Sequence, residues 1–263
     1  MTVQSKLLTI ISMLLRRGYA IMNPQDLPFE SNELAQLLAL GVSALSAPAD
    51  PHCKTGTRRR RFDRAFVVPG ETEIIFFPRH ADANLNSIQS YQQTASYNPH
   101  EGGKLRPFDS LTEVQRKLPA LQKLILFDAE IARLISPFPD AVQEVHLHLI
   151  AYVPKSGVPA VASPPFVHCD SEPITFAHML GRKDIAGGFN AITTTRARNL
   201  PFEEVSESEL ILKFTLDEAL ATFIVVDDVV AHYVSPMEAA GDQPYRVVLL
   251  IDFTPLPPAK KAE

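Results

Sequence analysis

Between residues 138 and 253 the chain breaks into short apolar runs separated by Gly, Pro and Asn turns. That pattern is the signature of a sandwich or jelly roll, in which each strand buries one face against a second sheet. The residues able to carry chemistry lie on the same runs.

His168-Cys169-Asp170 follows Pro164-Pro165-Phe166-Val167. In an extended strand, side chains two apart share a face, so His168 and Asp170 can grip one ion from one side. Cys169 then points to the opposite face and is expected to pack. His232 ends the run Phe223-Ile224-Val225-Val226-Asp227-Asp228-Val229-Val230-Ala231, which reads as one buried strand closing in a polar turn. Two imidazoles and one carboxylate suit an Fe(II) centre that keeps three cis positions open for a co-substrate and O₂. His168, Asp170 and His232 are therefore the candidate metal ligands, and the chemistry they point to is that of an oxygenase. Arg246 opens the apolar run Val247-Val248-Leu249-Leu250-Ile251. A buried arginine there needs an anionic partner, because an unpaired buried charge is costly. A dicarboxylate co-substrate would supply one through a bidentate contact; an ion pair with Asp227 or Asp228 is the alternative.

Upstream, residues 1–50 read as a helix, a strand Tyr19-Ala20-Ile21-Met22 entered through Gly18, and a second helix from Glu33 to Leu45, closed by Ala47-Pro48-Ala49-Asp50-Pro51. Residues 62–77 carry β-rich pieces. Residues 111–136 have helical spacing, with Leu124, Phe127, Ile131, Leu134 and Ile135 available for one face and a break or fresh start at Pro119. The expectation is one domain over 1–263, with residues 1–50 as a flank and residues 60–255 as a jelly-roll core braced by the helix near 111–136.

With 263 residues, 46% of them hydrophobic, the chain can bury a core of enzyme size. A net charge of −5 supplies no general basic field, which argues against a nucleic-acid partner. The local run Arg58-Arg59-Arg60-Arg61 reads as a solvated loop or strand edge. Two cysteines, Cys53 and Cys169, form no disulfide framework and favour a reducing, cytoplasmic setting. The apolar stretch at residues 7–15 is too short to span a bilayer, and Arg16-Arg17 follow it without a small-residue cleavage site. No membrane partner is expected, and a homodimer is left open.

From about residue 92 to 253 the chain resembles the Fe(II)/2-oxoglutarate dioxygenases that hydroxylate free aliphatic amino acids, the isoleucine hydroxylase type. The resemblance is carried by Tyr97-Asn98-Pro99-His100-Glu101-Gly102-Gly103-Lys104-Leu105-Arg106-Pro107-Phe108, Pro165-Phe166-Val167-His168-Cys169-Asp170, Arg182-Lys183-Asp184-Ile185-Ala186-Gly187-Gly188, Val226-Asp227-Asp228-Val229-Val230-Ala231-His232-Tyr233-Val234-Ser235-Pro236 and the run opened by Arg246. It implies a mainly β protein with flanking helices and a double-stranded β-helix (jelly-roll, cupin-like) core. It implies His168, Asp170 and His232 as iron ligands, Arg246 on the distal carboxylate of 2-oxoglutarate, and a pocket roofed by residues 92–106. Fe(II), 2-oxoglutarate and O₂ would be the cofactor and co-substrates, and a free aliphatic L-amino acid the small-molecule partner. The chain departs from the family at Pro165, Phe166 and Ser171, and in Val145-His146-Leu147-His148-Leu149-Ile150, where an arginine is expected. Those departures bear on the substrate rather than the metal. Gln93, Arg106, His148 and Arg182 are the candidates for holding a substrate ammonium and carboxylate.

Desaturation or ring closure would use the same cofactors. A non-catalytic metal-binding jelly roll and a zinc hydrolase are rivals of other classes, the latter weakened by the lack of a general-base glutamate beside the ligands. His146 and His148 form a second strand-spaced pair of the cupin kind, ranked below His168 and Asp170 because it leaves Arg246 unexplained. Gly187-Gly188 reads as a tight turn rather than a phosphate loop.

Overall fold

In the computed structural model, residues 3–81, 86–96, 102–170 and 172–256 are described. Residues 97–101 of the expected pocket roof, Ser171 and the tail from residue 257 lie outside them.

The elements in chain order are α1 (Val3–Arg17), β1 (Tyr19–Met22), α2 (Ser31–Ala44), β2 (Arg58–Val67), β3 (Ile74–Phe76), β4 (His80–Ala81), β5 (Ser87–Tyr91), β6 (Arg106–Asp109), α3 (Glu113–Arg116) and α4 (Pro119–Ile135). Then follow β7 (Gln143–Tyr152), β8 (Ile174–Lys183), β9 (Ile185–Gly187), β10 (Asn190–Thr193), β11 (Leu210–Phe214), β12 (Thr222–Val226), β13 (Ala231–Val234), β14 (Met237–Ala239) and β15 (Tyr245–Pro255). Gly18 joins α1 to β1 at φ +74°, a conformation glycine adopts without strain. Pro119 opens α4 at its first turn, where a missing N–H costs nothing.

A seven-stranded sheet runs in the order β1-β12-β8-β15-β7-β2-β3, and a small sheet in the order β11-β10-β13. All their pairings are antiparallel. His168 bridges to His232, which adds the segment around it beside β13. From β7 the chain therefore alternates between sheets: β7 in the large, His168 in the small, β8 back in the large, β10 and β11 in the small, β12 large, β13 small, β15 large. That alternation is the winding of a double-stranded β-helix, as the sequence predicts. The flank contributes more than expected, since β1 is the edge strand of the large sheet against β12.

Period-two alternation divides the large sheet into two faces. Val145, Leu147, Leu149 and Ala151 of β7 and Val247, Leu249, Ile251 and Phe253 of β15 pack with α1, α2 and α4 in one buried cluster. Their neighbours Ile150, Tyr152 and Val248 face the small sheet, packing with Ile192, Phe223 and Met237. Each fully buried Leu, Ile or Phe contributes roughly 1.5–3 kcal/mol. The bracing helix buries Leu121, Leu124, Ile125, Asp128 and Ile131. Phe127 and Leu134, predicted for that face, are only half-buried and 40% exposed; the 3.6-residue pitch swings them past the stripe. Asp128 is fully buried and meets His178 Nε2 of β8 at 2.7 Å, while His178 Nδ1 lies 2.8 Å from Thr222 Oγ1 of β12. This polar line pins α4 to the sheet. Among the described residues no helix is long and apolar enough to cross a membrane.

Gly41 lets α2 touch β8. A Cβ there would stand 2.7 Å from Leu180 Cβ and 3.0 Å from its carbonyl oxygen. Alanine gains about 1 kcal/mol of helix propensity but forces the helix off the sheet, at a cost of about 1–3 kcal/mol. Gly41→Ala is expected to lower the urea midpoint of unfolding; an unchanged or raised midpoint refutes the close approach.

Candidate metal centre

The run 223–232 is not the single strand its apolar content suggests. It folds back at Asp227–Val230, where the amides of Val229 and Val230 both turn to Val226 O, and β13 leaves for the small sheet. Two carboxyls and the need to change sheets end β12 where hydrophobicity alone would continue it. His232 therefore enters from the sheet that also carries His168, and the two backbones exchange hydrogen bonds of 2.9 and 2.8 Å.

That pairing sets the side chains together. His168 Nε2 lies 3.8 Å from Asp170 Oδ1, and His232 Nε2 lies 3.3 Å from Asp170 Oδ2. One donor atom from each of the three falls within 4.8 Å of the others. Cis ligands each about 2.1 Å from a shared ion stand about 3 Å apart, so a small inward closure suffices. His168 Nδ1 donates to Phe166 O at 2.8 Å, which leaves Nε2 bare for a metal. Burial, and then the neighbouring His232, hold the His168 imidazolium down at about 4, so the ring is neutral near pH 7. Burial works to raise Asp170, but His232 and His168 hold it at about 2, an anion ready to ligate. His232 Nδ1 faces Asp227 Oδ1 at 3.7 Å, beyond hydrogen-bond reach, and neither atom has a partner. Two imidazoles and one carboxylate on open cavity space fit Fe(II). Cys169 takes the opposite face, as expected, packing beside Val167, Ala191 and Tyr233.

The three residues line a cavity of about 800 Å³, its open mouth included, between the two sheets. Arg246 lines the same cavity at 2% exposure. Its NH2 donates to Asn190 Oδ1 at 3.2 Å, its guanidinium lies 5.9 Å from the Tyr152 ring centre, and its Nε has no partner. No ion pair to Asp227 or Asp228 forms; Asp227 faces His232 instead. Burial pulls Arg246 down to about 10, so it stays charged at neutral pH, waiting for an anion.

Of the predicted substrate contacts, Gln93, Arg106 and His148 line the cavity and Arg182 does not. Gln93 bridges the site: its Nε2 reaches Asp170 Oδ1 at 3.4 Å and its Oε1 accepts from Arg106 at 3.1 Å. Arg182 instead donates to Ile185 O and Gly187 O and pairs with Asp217 at 3.3 Å. It holds the turn from β8 to β9, opposite Arg246 in register, with its guanidinium drawn to those carbonyls and to Asp217. Gly187 and Gly188, at φ +71° and +66°, form a turn against Pro236, as expected.

The arginine run is the larger correction. Residues 58–61 open β2, a strand inside the large sheet, so alternate members face opposite sides. Arg58 and Arg60 are 5% and 7% exposed and line the cavity. Charge density suggested a solvated edge; the continuation into Phe62-Asp63-Arg64-Ala65-Phe66-Val67 was the available signal for a paired strand. Tyr91, Thr175, Asn190 and Asp252 were also missed, each an isolated polar residue within an ordinary strand.

His146, His148 and Asp252 also bring donor atoms within 4.8 Å, but both nitrogens of His146 and Nδ1 of His148 are already engaged. Arg60 donates to His148 Nδ1, and His148 Nε2 lies 3.1 Å from Asp252 Oδ2. A guanidinium against the ring also repels a cation. The cupin-type reading of this pair therefore gives way to a polar wall of the cavity.

The 2OG-Fe dioxygenase family profile matches residues 43–252. An L-isoleucine-4-hydroxylase of Bacillus thuringiensis is 29% identical over 178 residues, 66% of this chain and 68% of that protein. A 3(1)-hydroxy-L-isoleucine 4-dioxygenase of Pantoea ananatis is 24% identical over 65% of this chain and 66% of that protein. The crystal structure of IDO from Bacillus thuringiensis superposes with a TM-score of 0.74 at 20% identity, covering 97% of this chain and all of that one. A bsmA homologue from Methylobium petroleophilum gives 0.75 at 17% identity, covering 95% and 93%.

At the cavity's edge His146 meets Glu172 Oε1 at 3.0 Å through Nδ1 and Glu144 Oε1 at 3.1 Å through Nε2. Burial disfavours its charge, but the two carboxylates outweigh burial and raise it to about 9. A histidine raised above its unfolded value of about 6.5 stabilises fully below that pH and loses the contribution as pH rises through 9. His146→Gln is expected to remove up to about 3 kcal/mol of stability at pH 6 and very little at pH 9.5. Urea unfolding at both pH values checks this; an equal loss at both refutes the charged state.

Proposed function

The chain belongs to the 2OG-Fe dioxygenase family and is an Fe(II)- and 2-oxoglutarate-dependent dioxygenase, and from that premise we propose that it hydroxylates a free aliphatic L-amino acid. In this reading His168, Asp170 and His232 hold the iron and Arg246 holds the distal carboxylate of 2-oxoglutarate. The observation that carries it is a cavity holding both the converged His-Asp-His donors and a buried arginine with an unused Nε. The relatives named as isoleucine hydroxylase and hydroxyisoleucine dioxygenase support the substrate class.

When bound, Fe(II), 2-oxoglutarate and O₂ supply the oxidising power to hydroxylate an unactivated C–H bond, the co-substrate leaving as succinate and CO₂. The protein's part is binding, orientation and the exclusion of water. Arg246, steadied by Asn190 Oδ1, offers its free edge to a carboxylate, and burial makes that contact strong. Gln93 and His232 hold the Asp170 carboxylate from two sides. Ile150, Ala177, Phe223, Val234 and Val248 give the cavity its apolar wall, which keeps water from the reacting centre.

Anaerobic addition of Fe(II) and 2-oxoglutarate is expected to give the weak visible band of the chelate in wild type and none in His168→Ala. Arg246→Leu should bind 2-oxoglutarate about 100-fold more weakly, the scale for removing one partner of a buried charge pair. Succinate release in air, screened across aliphatic L-amino acids, tests the substrate. No band in the iron-loaded wild type overturns the ligand assignment, and a band without any amino-acid-stimulated succinate overturns the substrate.

A further inference from the structure

Iron and 2-oxoglutarate leave one end of the cavity unexplained. On β15 the cavity-facing residues are Arg246, Val248, Leu250 and Asp252. Six residues of strand separate the first from the last by about 20 Å, so a molecule held at Arg246 does not also reach Asp252. The far end is strongly polar and incompletely paired.

Arg58 is neutralised by Asp50 at 2.6 Å. Arg60 is not: its guanidinium lies 4.3 Å from the Phe108 ring centre and 5.6 Å from that of Tyr91, it donates to His148, and its Nε has no partner. Arg106 lies on the same Tyr91 ring at 5.0 Å, donates to Gln93, and also leaves its Nε unused. Among the described residues neither forms an ion pair with a carboxylate. Two buried guanidiniums sharing one aromatic platform call for an anion. Facing them across the His148 ring is Asp252, 4% exposed, whose Oδ2 lies 3.1 Å from His148 Nε2 while Oδ1 has no partner. The cationic and anionic ends are thus one imidazole apart, the span an α-amino acid covers between the partners of its carboxylate and its ammonium.

We propose that Arg60 and Arg106 bind the carboxylate of the substrate and Asp252 its ammonium, so that the pocket selects a free α-amino acid by both charges. This rests on the amino-acid reading above and assigns the residues that enforce it. His148 is the spacer: accepting from Arg60 and standing 3.1 Å from Asp252, it sets the distance between the two ends. The strand-opening arginine run thereby supplies one end of the clamp and the closing strand of the fold the other. Burial of both ends makes an unmatched ligand expensive, because an analogue lacking one charge strands its protein partner without solvent.

The test is anaerobic calorimetric titration of the protein loaded with Fe(II) and 2-oxoglutarate. The ligands are the tightest-binding member of an aliphatic L-amino acid panel, its amide and its desamino acid. Wild type is expected to bind the amino acid at least about 100-fold more tightly than either analogue. Asp252→Asn should bring the desamino acid to within about 3-fold of the amino acid while still rejecting the amide, and Arg60→Gln should do the reverse. Retention of the chelate band and melting temperature shows that each variant is folded. Should either variant fail to fold, the wild-type ratios stand as the test, and an analogue bound as tightly as the amino acid overturns the clamp. Amino-acid binding with unchanged discrimination in both folded variants overturns the clamp alone. Binding of the desamino acid, but of no amino acid, overturns the substrate class and the role of Asp252 together.

Discussion

The alternation of side chains across the seven-stranded sheet governs the rest of this molecule. One parity of β7 and β15 goes to the helices, the other to the cavity, and the cross-strand register extends that division into β2, where Arg60 stands opposite Ile150 and Phe62 opposite His148. A slip of one residue would send Arg60, Arg246 and Asp252 into the apolar core and the leucines into the cavity. The helical layer guards against that slip, because Leu147, Leu149, Leu249 and Ile251 can be buried in only one register. Packing on one face of the sheet thus positions chemistry on the other.

The cavity departs from the rule that buried charges are paired inside the protein. Arg246, Arg60 and Arg106 each keep a guanidinium nitrogen without a partner, and Asp252 an oxygen. Burial lowers the first two arginines to about 10 and pushes Asp252 well above its usual range. Each such group lowers the stability of the folded chain until a ligand completes it, and that deficit becomes affinity when the ligand arrives. Other buried charges lean on internal partners, as Asp50 does on Arg58 and Asp63 on Arg116, although Arg79, Asp128, Arg182 and Asp227 also keep an atom without a partner.

Much of the candidate site was legible in the sequence. The His168, Asp170, His232 and Arg246 spacing named residues that line a single cavity, and the helix–strand–helix opening and the Pro119 start were read from caps, breakers and periodicity. The failures share a cause. Composition alone reads 223–232 as one strand, Arg58–Arg61 as a solvated loop or strand edge, and Arg182 as a substrate contact. In each case composition stands in for sheet geometry: two aspartates turn the chain into the other sheet, strand pairing buries alternate arginines, and the β8–β9 turn carbonyls and Asp217 claim the Arg182 guanidinium.

By itself the sequence determined which side chains are available and the local periods they obey, since helix pitch, strand alternation, proline starts and glycine turns depend only on near neighbours. It therefore settled the β-rich class and the candidate donors to iron. Tertiary structure alone decided which strands pair and in what register, and hence that Arg60 from the early strand, His148 from the middle and Asp252 from the last one meet across a single ring. Those three lie far apart along the chain, and nothing local links them. Their meeting comes from the global closure of the two sheets.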